Sequence, residues 1–309
     1  MRSNPSLNSF PKTKIRFAVG IALALCLCAR TVAQKTAVAQ KTAVAQKTAV
    51  AQETAVAQEA AIEPAPADVG TVPVASKPVG SKSADLKPTD SKPIEEARND
   101  YLGRTLAKPM SHLGASWLIR PERDEEESTS ESFIQLKLAP GMTVCDLGCG
   151  NGYWTLPMAR AVGKDGKVLA VDIQREMLHK LRERSGRLKL PQIKPVLGEI
   201  DDPKLPTGEV DLLLMVDVYH EFSHPESMLW GIRRSLAPEG VVALLEYREE
   251  DPAVPIKPLH KMSKSQIIKE YEANGLKLVR EYNDLPWQHL MFFARDDSPL
   301  EQIEPVAFK

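Results

Sequence analysis

From residue 140 onward, short apolar runs alternate with stretches whose apolar residues return every three or four positions. The runs opening at Val144 and spanning 167–172, 192–197, 210–218, 241–246, 276–282 and 289–294 have the length and bounding turns of strands. The run 210–218 is interrupted only by Asp211 and Asp217, which suits a central parallel strand covered on both faces. Between the runs lie helical patterns. Residues 174–184 place Met177, Leu178 and Leu181 on one face, and residues 225–237 do the same with Met228, Leu229, Ile232 and Leu236. A third helix over 265–273 is closed by Asn274-Gly275. Strand and helix in alternation predict an α/β fold with a mostly parallel sheet. Ligands of such sheets bind at the carboxyl ends of the strands.

The first third of the chain has no such pattern. Arg2, Lys12, Lys14 and Arg16 precede an apolar stretch at 17–29 and the small residues Thr31-Val32-Ala33. Residues 1–33 therefore read as a signal peptide, which predicts an exported or periplasmic protein. The alternative is an uncleaved segment that anchors the chain and keeps it near a membrane. The hexapeptide Ala33-Gln34-Lys35-Thr36-Ala37-Val38 then recurs from residues 39 and 45, from 51 with Glu53 in place of lysine, and degenerately from 57. A period of six matches no coiled coil or solenoid, and the repeat carries no large apolar residue to bury. Residues 34–93 are expected to be a disordered repeat followed by a Pro/Lys-rich linker. Residues 94–139 are expected to form an N-terminal helical lid, and 140–309 the main domain, within the ordinary size of one α/β unit.

Composition excludes some classes. The 309 residues carry a formal net charge of -1, so no nucleic-acid partner is implied. Of the four cysteines, Cys26 and Cys28 fall in the signal segment, and Cys145 and Cys149 read as small apolar residues. This is neither a disulfide framework nor a zinc-binding set.

The chemistry is concentrated at 144–152. Val144-Cys145-Asp146 ends a strand, and Gly148, Gly150 and Gly152 follow at every second position. Glycine there lets backbone approach a ligand closely. The third glycine of a dinucleotide fingerprint is replaced by Tyr153, so the pattern is D-x-G-x-G-x-G. About twenty residues on, Asp172 ends a second strand, where a carboxylate can accept hydrogen bonds from both hydroxyls of a ribose. Asp172 also suits the start of the next helix, and the two roles are compatible.

These residues resemble motif I and the acidic strand end of class I S-adenosylmethionine (SAM)-dependent methyltransferases, in style the ubiquinone/menaquinone-biosynthesis type. The resemblance covers roughly residues 140–295. It implies a Rossmann-like, doubly wound, seven-stranded, mostly parallel sheet with an antiparallel last strand. It also implies SAM as cofactor, bound by Asp146, Gly148, Gly150, Gly152, Asp172 and Asp217. An acidic residue after the third strand meets adenine in similar proteins. Glu199 and Asp201 compete for that place, with Asp201 preferred. Function is then expected to be methyl transfer to a small-molecule or lipid-like acceptor. The alternatives are protein methylation and an exported binding module that keeps the fold without catalysis. Oligomeric state is left open.

His220 and Tyr219 lie just past the fourth strand and are the candidate catalytic residues, with His220 as a general base near neutrality. In the segment before the first strand, Tyr101, His112 and Trp117 are candidates for acceptor contacts. The acidic run Asp124 to Glu127 reads as the solvated face of a helix. Residues 252–262, proline-rich and carrying His260, are a second mobile candidate. One competing motif remains. His220-Glu221-Phe222-Ser223-His224 is H-E-x-x-H, the signature of zinc peptidases, which requires both histidines on one face of a helix. Pro225 disfavours helical geometry at His224, so no metal is expected there.

Overall fold

The computed structural model describes residues 99–307; the expected signal peptide at 1–33 and the repeat and linker at 34–93 lie outside the described residues. The described chain opens with a small hairpin. Strand β1 (Asp100–Tyr101) pairs antiparallel with β2 (Arg104–Thr105). Leu102 and Gly103 between them both have positive φ, which matches the twist of a two-residue hairpin turn. A 3₁₀ segment at His112–Ile119 follows, capped by the Ser111 hydroxyl oxygen, which accepts from the Leu113 N–H. Two short helices then lead into the sheet, α1 (Arg123–Glu127) and α2 (Thr129–Gln135).

The sheet is built from β3 (Thr143–Leu147), β4 (Lys167–Asp172), β5 (Ile193–Leu197), β6 (Val210–Val216), β7 (Leu236–Tyr247), β8 (Leu276–Tyr282) and β9 (Gln288–Arg295). Their spatial order is β5-β4-β3-β6-β7-β9-β8. The five strands from β5 across to β7 are mutually parallel, and β9 is antiparallel to both of its neighbours. This is the mostly parallel sheet that the strand and helix pattern predicted, in the seven-stranded Rossmann-like form that the resemblance implied.

The apolar runs are continuous because both faces of the sheet are covered. Successive residues alternate between two cores. Cys145, Leu213, Met215, Val242 and Leu244 face one of them, against Met228, Leu229 and Ile232 of α5 (Pro225–Ser235) and Ile267 and Tyr271 of α6 (Lys264–Ala273). Val144, Leu212, Leu214, Ala243 and Leu245 face the other, against α3 (Thr155–Val162) and against Leu178 and Leu181 of α4 (Arg175–Arg187). Cys145 and Cys149 are buried free thiols, one in each core, and burial pushes both well above the ordinary thiol value.

Local signals set the ends of the helices. Pro225 occupies the first turn of α5, where its missing N–H costs nothing. The Ser263 hydroxyl caps α6, and Asn274 with Gly275, at positive φ, closes it. Among the described residues no helix is long and apolar enough to cross a membrane.

Candidate active site

The carboxyl ends of β3, β4, β6 and β7 open into one cavity of about 640 Å3, roofed by residues 106–120 and by the loop at 256–260. One end of this cavity is built from neighbours in sequence. Strand β4 ends at Asp172, which is 7% exposed. One of its carboxylate oxygens accepts from the Gly150 N–H at 2.9 Å, the other from the Gln174 N–H at 2.8 Å. Asp172 thus joins the glycine loop to the start of α4. Burial pushes its carboxyl above the ordinary value, against the pull of the backbone hydrogen bonds. Each oxygen keeps a further lone pair for a hydroxyl donor.

Gly148 and Gly150 both have positive φ and both face the cavity. A Cβ on Gly148 would stand 2.5 Å from the Val218 side chain, and one on Gly150 would stand 2.6 Å from Leu118. Bare backbone therefore forms this wall, and a side chain would displace Val218 at Gly148 or the roof residue Leu118 at Gly150. Asp146 lies beneath the loop and off the cavity. It accepts from the Thr155 hydroxyl at 2.5 Å, which ties β3 to the first turn of α3. Burial raises its carboxyl to about 6, despite the Thr155 bond and with a further push from Asp172.

The roof is stitched to this end by two polar side chains. The Gln174 amide donates to the Met110 carbonyl at 2.8 Å, and its oxygen accepts from the His112 N–H at 2.7 Å. The Asn151 amide donates to the Ala115 carbonyl at 2.8 Å.

The other end of the cavity is assembled from distant segments. His220 is 2% exposed. Its Nδ1 meets Glu246, at the end of β7, at 2.6 Å, and its Nε2 lies 3.0 Å from Nδ1 of His260. Burial alone would lower the His220 value, but Glu246, Glu221 and Asp217 carry it above the ordinary one. His260 is held down to about 4 by burial and by His220 and Lys257, so it is neutral near pH 7. Burial raises Glu221 to about 7. The Met110 N–H donates to Glu221, so this carboxylate also holds the roof.

Beside this group lies a buried ion-pair network. Glu127 accepts from Arg120 at 2.5 Å, from Arg123 at 2.8 Å and from the Tyr247 hydroxyl at 3.0 Å. Glu126 accepts from Arg120 at 2.6 Å. The acidic run is therefore helical, but Glu126 and Glu127 are buried and not on a solvated face. Arg120 and Arg123 turn the helix inward by neutralising them. Asp217, at positive φ, receives the Gln288 amide at 2.9 Å on both oxygens. Burial raises its carboxyl well above the ordinary value, and Glu127 and Glu246 add to this.

The predicted site residues are divided by this arrangement. Gly148, Gly150, Asp172, Asp217, Glu199, His220 and Trp117 line the cavity. Asp201 does not; it lines a neighbouring depression with Asp202, Lys204 and Trp230, whereas Glu199 borders both. Gly152 packs against Leu181 beneath the loop. Tyr219, placed by the sequence among the catalytic candidates, is fully buried and donates its hydroxyl to Glu270 at 2.6 Å, on the far side of the backbone from the cavity. A turn with threefold repeat sends adjacent residues to different sides, so Tyr219 and His220 cannot both face one ligand. Tyr101 is buried with its hydroxyl accepting from Asn274, and the side chain of His112 is off the cavity wall.

The H-E-x-x-H motif is not a helical site. Tyr219–Glu221 form a single 3₁₀ turn, and His224 stands outside α5 with φ −130 and ψ 65. Sequence reading overlooked Glu246, Gln174, Asn151, Arg120, Arg123 and Glu127 as site residues. Glu246 carried the same signal as Asp172, an acidic residue ending a buried strand. Asn151 and Gln174 sit in the same run as Gly150 and Asp172 without a charge to single them out, and a loop and a short helix bring Arg120, Arg123 and Glu127 in from elsewhere.

Comparison with known proteins agrees with this geometry. Residues 138–288 match the family model described as a methyltransferase domain. A SAM-dependent methyltransferase from Aquifex aeolicus superposes with a TM-score of 0.56 at 25% identity, covering 60% of this chain and 98% of that one. An arsenite methyltransferase of Halobacterium salinarum is 31% identical over 115 residues, 37% of this chain and 29% of that protein. A demethylmenaquinone methyltransferase of Oceanobacillus iheyensis is 33% identical over 68 residues, 22% of this chain and 29% of that protein. Residues 138–288 are thus similar to the methyltransferase domains of the class I SAM-dependent family, whose cofactor is S-adenosylmethionine. It spans about a third of the length of the curated relatives it matches.

Proposed function

We propose that this protein transfers a methyl group from SAM to a small-molecule acceptor held under the roof. The observation that carries the reading is the single cavity in which the glycine loop and Asp172 stand at one end and His220, Glu221 and His260 at the other. The residues fit the cofactor. Asp172 has unused lone pairs for the ribose hydroxyls, Gly148 and Gly150 leave room for close backbone approach, and Ile173 and Ile200 offer apolar surface to adenine beside Glu199. When bound, SAM supplies a methyl carbon activated by its sulfonium.

The protein's own contribution is placement. Holding a nucleophile in line with the methyl carbon removes much of the entropic barrier. The roof, tied down by Gln174, Asn151 and Glu221, keeps water out while this happens. A covered cavity favours a small acceptor over a protein chain, which would need an open groove. His220, oriented by Glu246, is the side chain at the acceptor end best placed to hold or take a proton.

The test is calorimetric binding of S-adenosylhomocysteine to the full chain, with Asp172→Ala as partner. Native protein should bind in the micromolar range. The variant should lose at least about 100-fold, since two hydrogen bonds to a charged acceptor are worth about 1.5–3 kcal/mol each. Absence of binding by folded native protein would remove the methyltransferase reading.

A further inference from the structure

The structure assigns a divalent transition-metal site to His220, Glu221 and His260. One ligand atom from each lies within 4.8 Å of the other two. His220 Nε2 stands 3.0 Å from His260 Nδ1 and 3.9 Å from Glu221 Oε1. Two imidazole nitrogens bound to one tetrahedral zinc at about 2.0–2.1 Å are held about 3.3 Å apart, so the observed 3.0 Å needs a shift of only a few tenths of an ångström to share an ion. The rings meet edge to face, at 83°, and so do not stack over the space between their nitrogens.

A second, independent observation points to the same ligand. Glu246 is fully buried and engages His220 at Nδ1 and, at 3.2 Å, at the backbone N–H. A carboxylate on the far nitrogen is the usual partner of a metal-binding histidine, because it fixes the proton on that nitrogen and leaves a lone pair on the other. The tautomer that Glu246 selects therefore presents a lone pair at His220 Nε2, directly toward His260. Either His260 fills that space with a proton, or a cation does.

Two imidazoles and a carboxylate suit zinc or divalent iron, and do not suit magnesium or calcium, which prefer all-oxygen sites. The three side chains all line the cavity, so the ion is open to it on at least one side. The H-E pair of the zinc-peptidase motif is thus used, but the second histidine comes from the 256–260 loop and not from His224. A bound ion also assigns His220 a role other than base, that of ligand. If methyl transfer proceeds as proposed, the ion's open side takes an oxygen or sulfur donor of the acceptor; that clause alone rests on the proposed function.

The experiment uses the full chain stripped with chelator and titrated with Zn2+ alone by calorimetry, with Co2+ absorbance as a second readout of nitrogen and oxygen ligation. One ion per chain should bind. His260→Gln and Glu221→Gln should each weaken binding tenfold or more, and His224→Gln should leave it unchanged. Circular dichroism establishes that each variant is folded. The proposal is overturned if folded native protein takes up no stoichiometric ion. It is equally overturned if binding survives both His260→Gln and Glu221→Gln, or is lost with His224→Gln alone. S-adenosylhomocysteine binding by the same samples reports separately on the cofactor end, so failure of either reading is told apart from failure of the other.

Discussion

The two ends of the cavity are made in different ways. The proposed cofactor end uses a run of about thirty residues, in which β3, the glycine loop, α3, β4 and the start of α4 follow one another. Its key bonds join strand ends to backbone, as Asp172 joins Gly150 and Gln174. The proposed acceptor end draws His220, Glu246, His260, Glu127 and Arg120 from segments up to 140 residues apart, and its bonds join side chains to side chains. Backbone-mediated bonds depend little on side-chain identity, because any residue but proline supplies an N–H, although Gly148 and Gly150 themselves must stay bare. Networks of buried charges do not, because each member is balanced by particular partners.

The sharpest way to break this comparison is Glu127→Ala. Burial pushes the Glu127 carboxyl up, but Arg123 and Arg120 more than offset it, so it stays ionised. Removing it leaves two buried guanidinium groups without their main partner. Stability should fall by about 3–5 kcal/mol in denaturant unfolding. If the two ends are independent, the folded variant still binds S-adenosylhomocysteine with affinity within about threefold of native, a fraction of a kcal/mol. A large loss of affinity would show that the ends are coupled.

Asp146→Asn tests the cofactor end with the opposite sign. The native carboxyl is raised from 3.8 to about 6, so its ionisation is disfavoured in the folded state. The resulting penalty is absent below about pH 4, grows as pH rises to about 6, and is constant above. Asparagine can still accept from Thr155 and carries no charge. The variant should therefore be more stable than native above pH 6, by roughly 3 kcal/mol or less, and indistinguishable from it near pH 3.5. Equal stability at all pH values would mean that Asp146 is not held in the environment described.

Glu250→Gln gives the smallest effect. Against the upward push of burial, hydrogen bonds from His289 and Lys264 lower Glu250 from 4.5 to about 2. A depressed carboxyl contributes stability that is present above its unfolded value and lost as pH falls from about 4.5 toward 2. The variant should lose a modest part of native stability at pH 7 and almost none at pH 2, read from urea midpoints. Glu250 is partly exposed, so solvent screening keeps the difference small.

Much of the fold was legible in the sequence. The strands at 167–172 and 276–282 were read to the residue, and most others fell within a residue or two of their observed ends. The exceptions have physical causes. Strand β7 starts at Leu236 and not at 241, because a register shift lets the Leu-Ala-Pro-Glu-Gly turn run along β6 before regular pairing begins. The segment expected as a helical lid opens with a hairpin, since Leu102 and Gly103 adopt left-handed geometry that no periodicity reveals. Asp124 to Glu127 looked solvated because acidic runs usually are. Here Arg123, one turn away from Glu127, and Arg120, just before the helix, pull two of the carboxylates inside.

What the sequence determined by itself was the sheet, its two covered faces and the cofactor end. Each depends on periodicity or on short spacings that local backbone geometry converts directly into position. What only the tertiary structure decided was the acceptor end. It turned Tyr219 inward to Glu270, gave Glu199 and not Asp201 to the cavity, and set His260 against His220 in place of His224. Those outcomes depend on how loops from separate crossovers converge, and on which charges find a partner before they are buried. Neither is written in any window of the chain short enough to read.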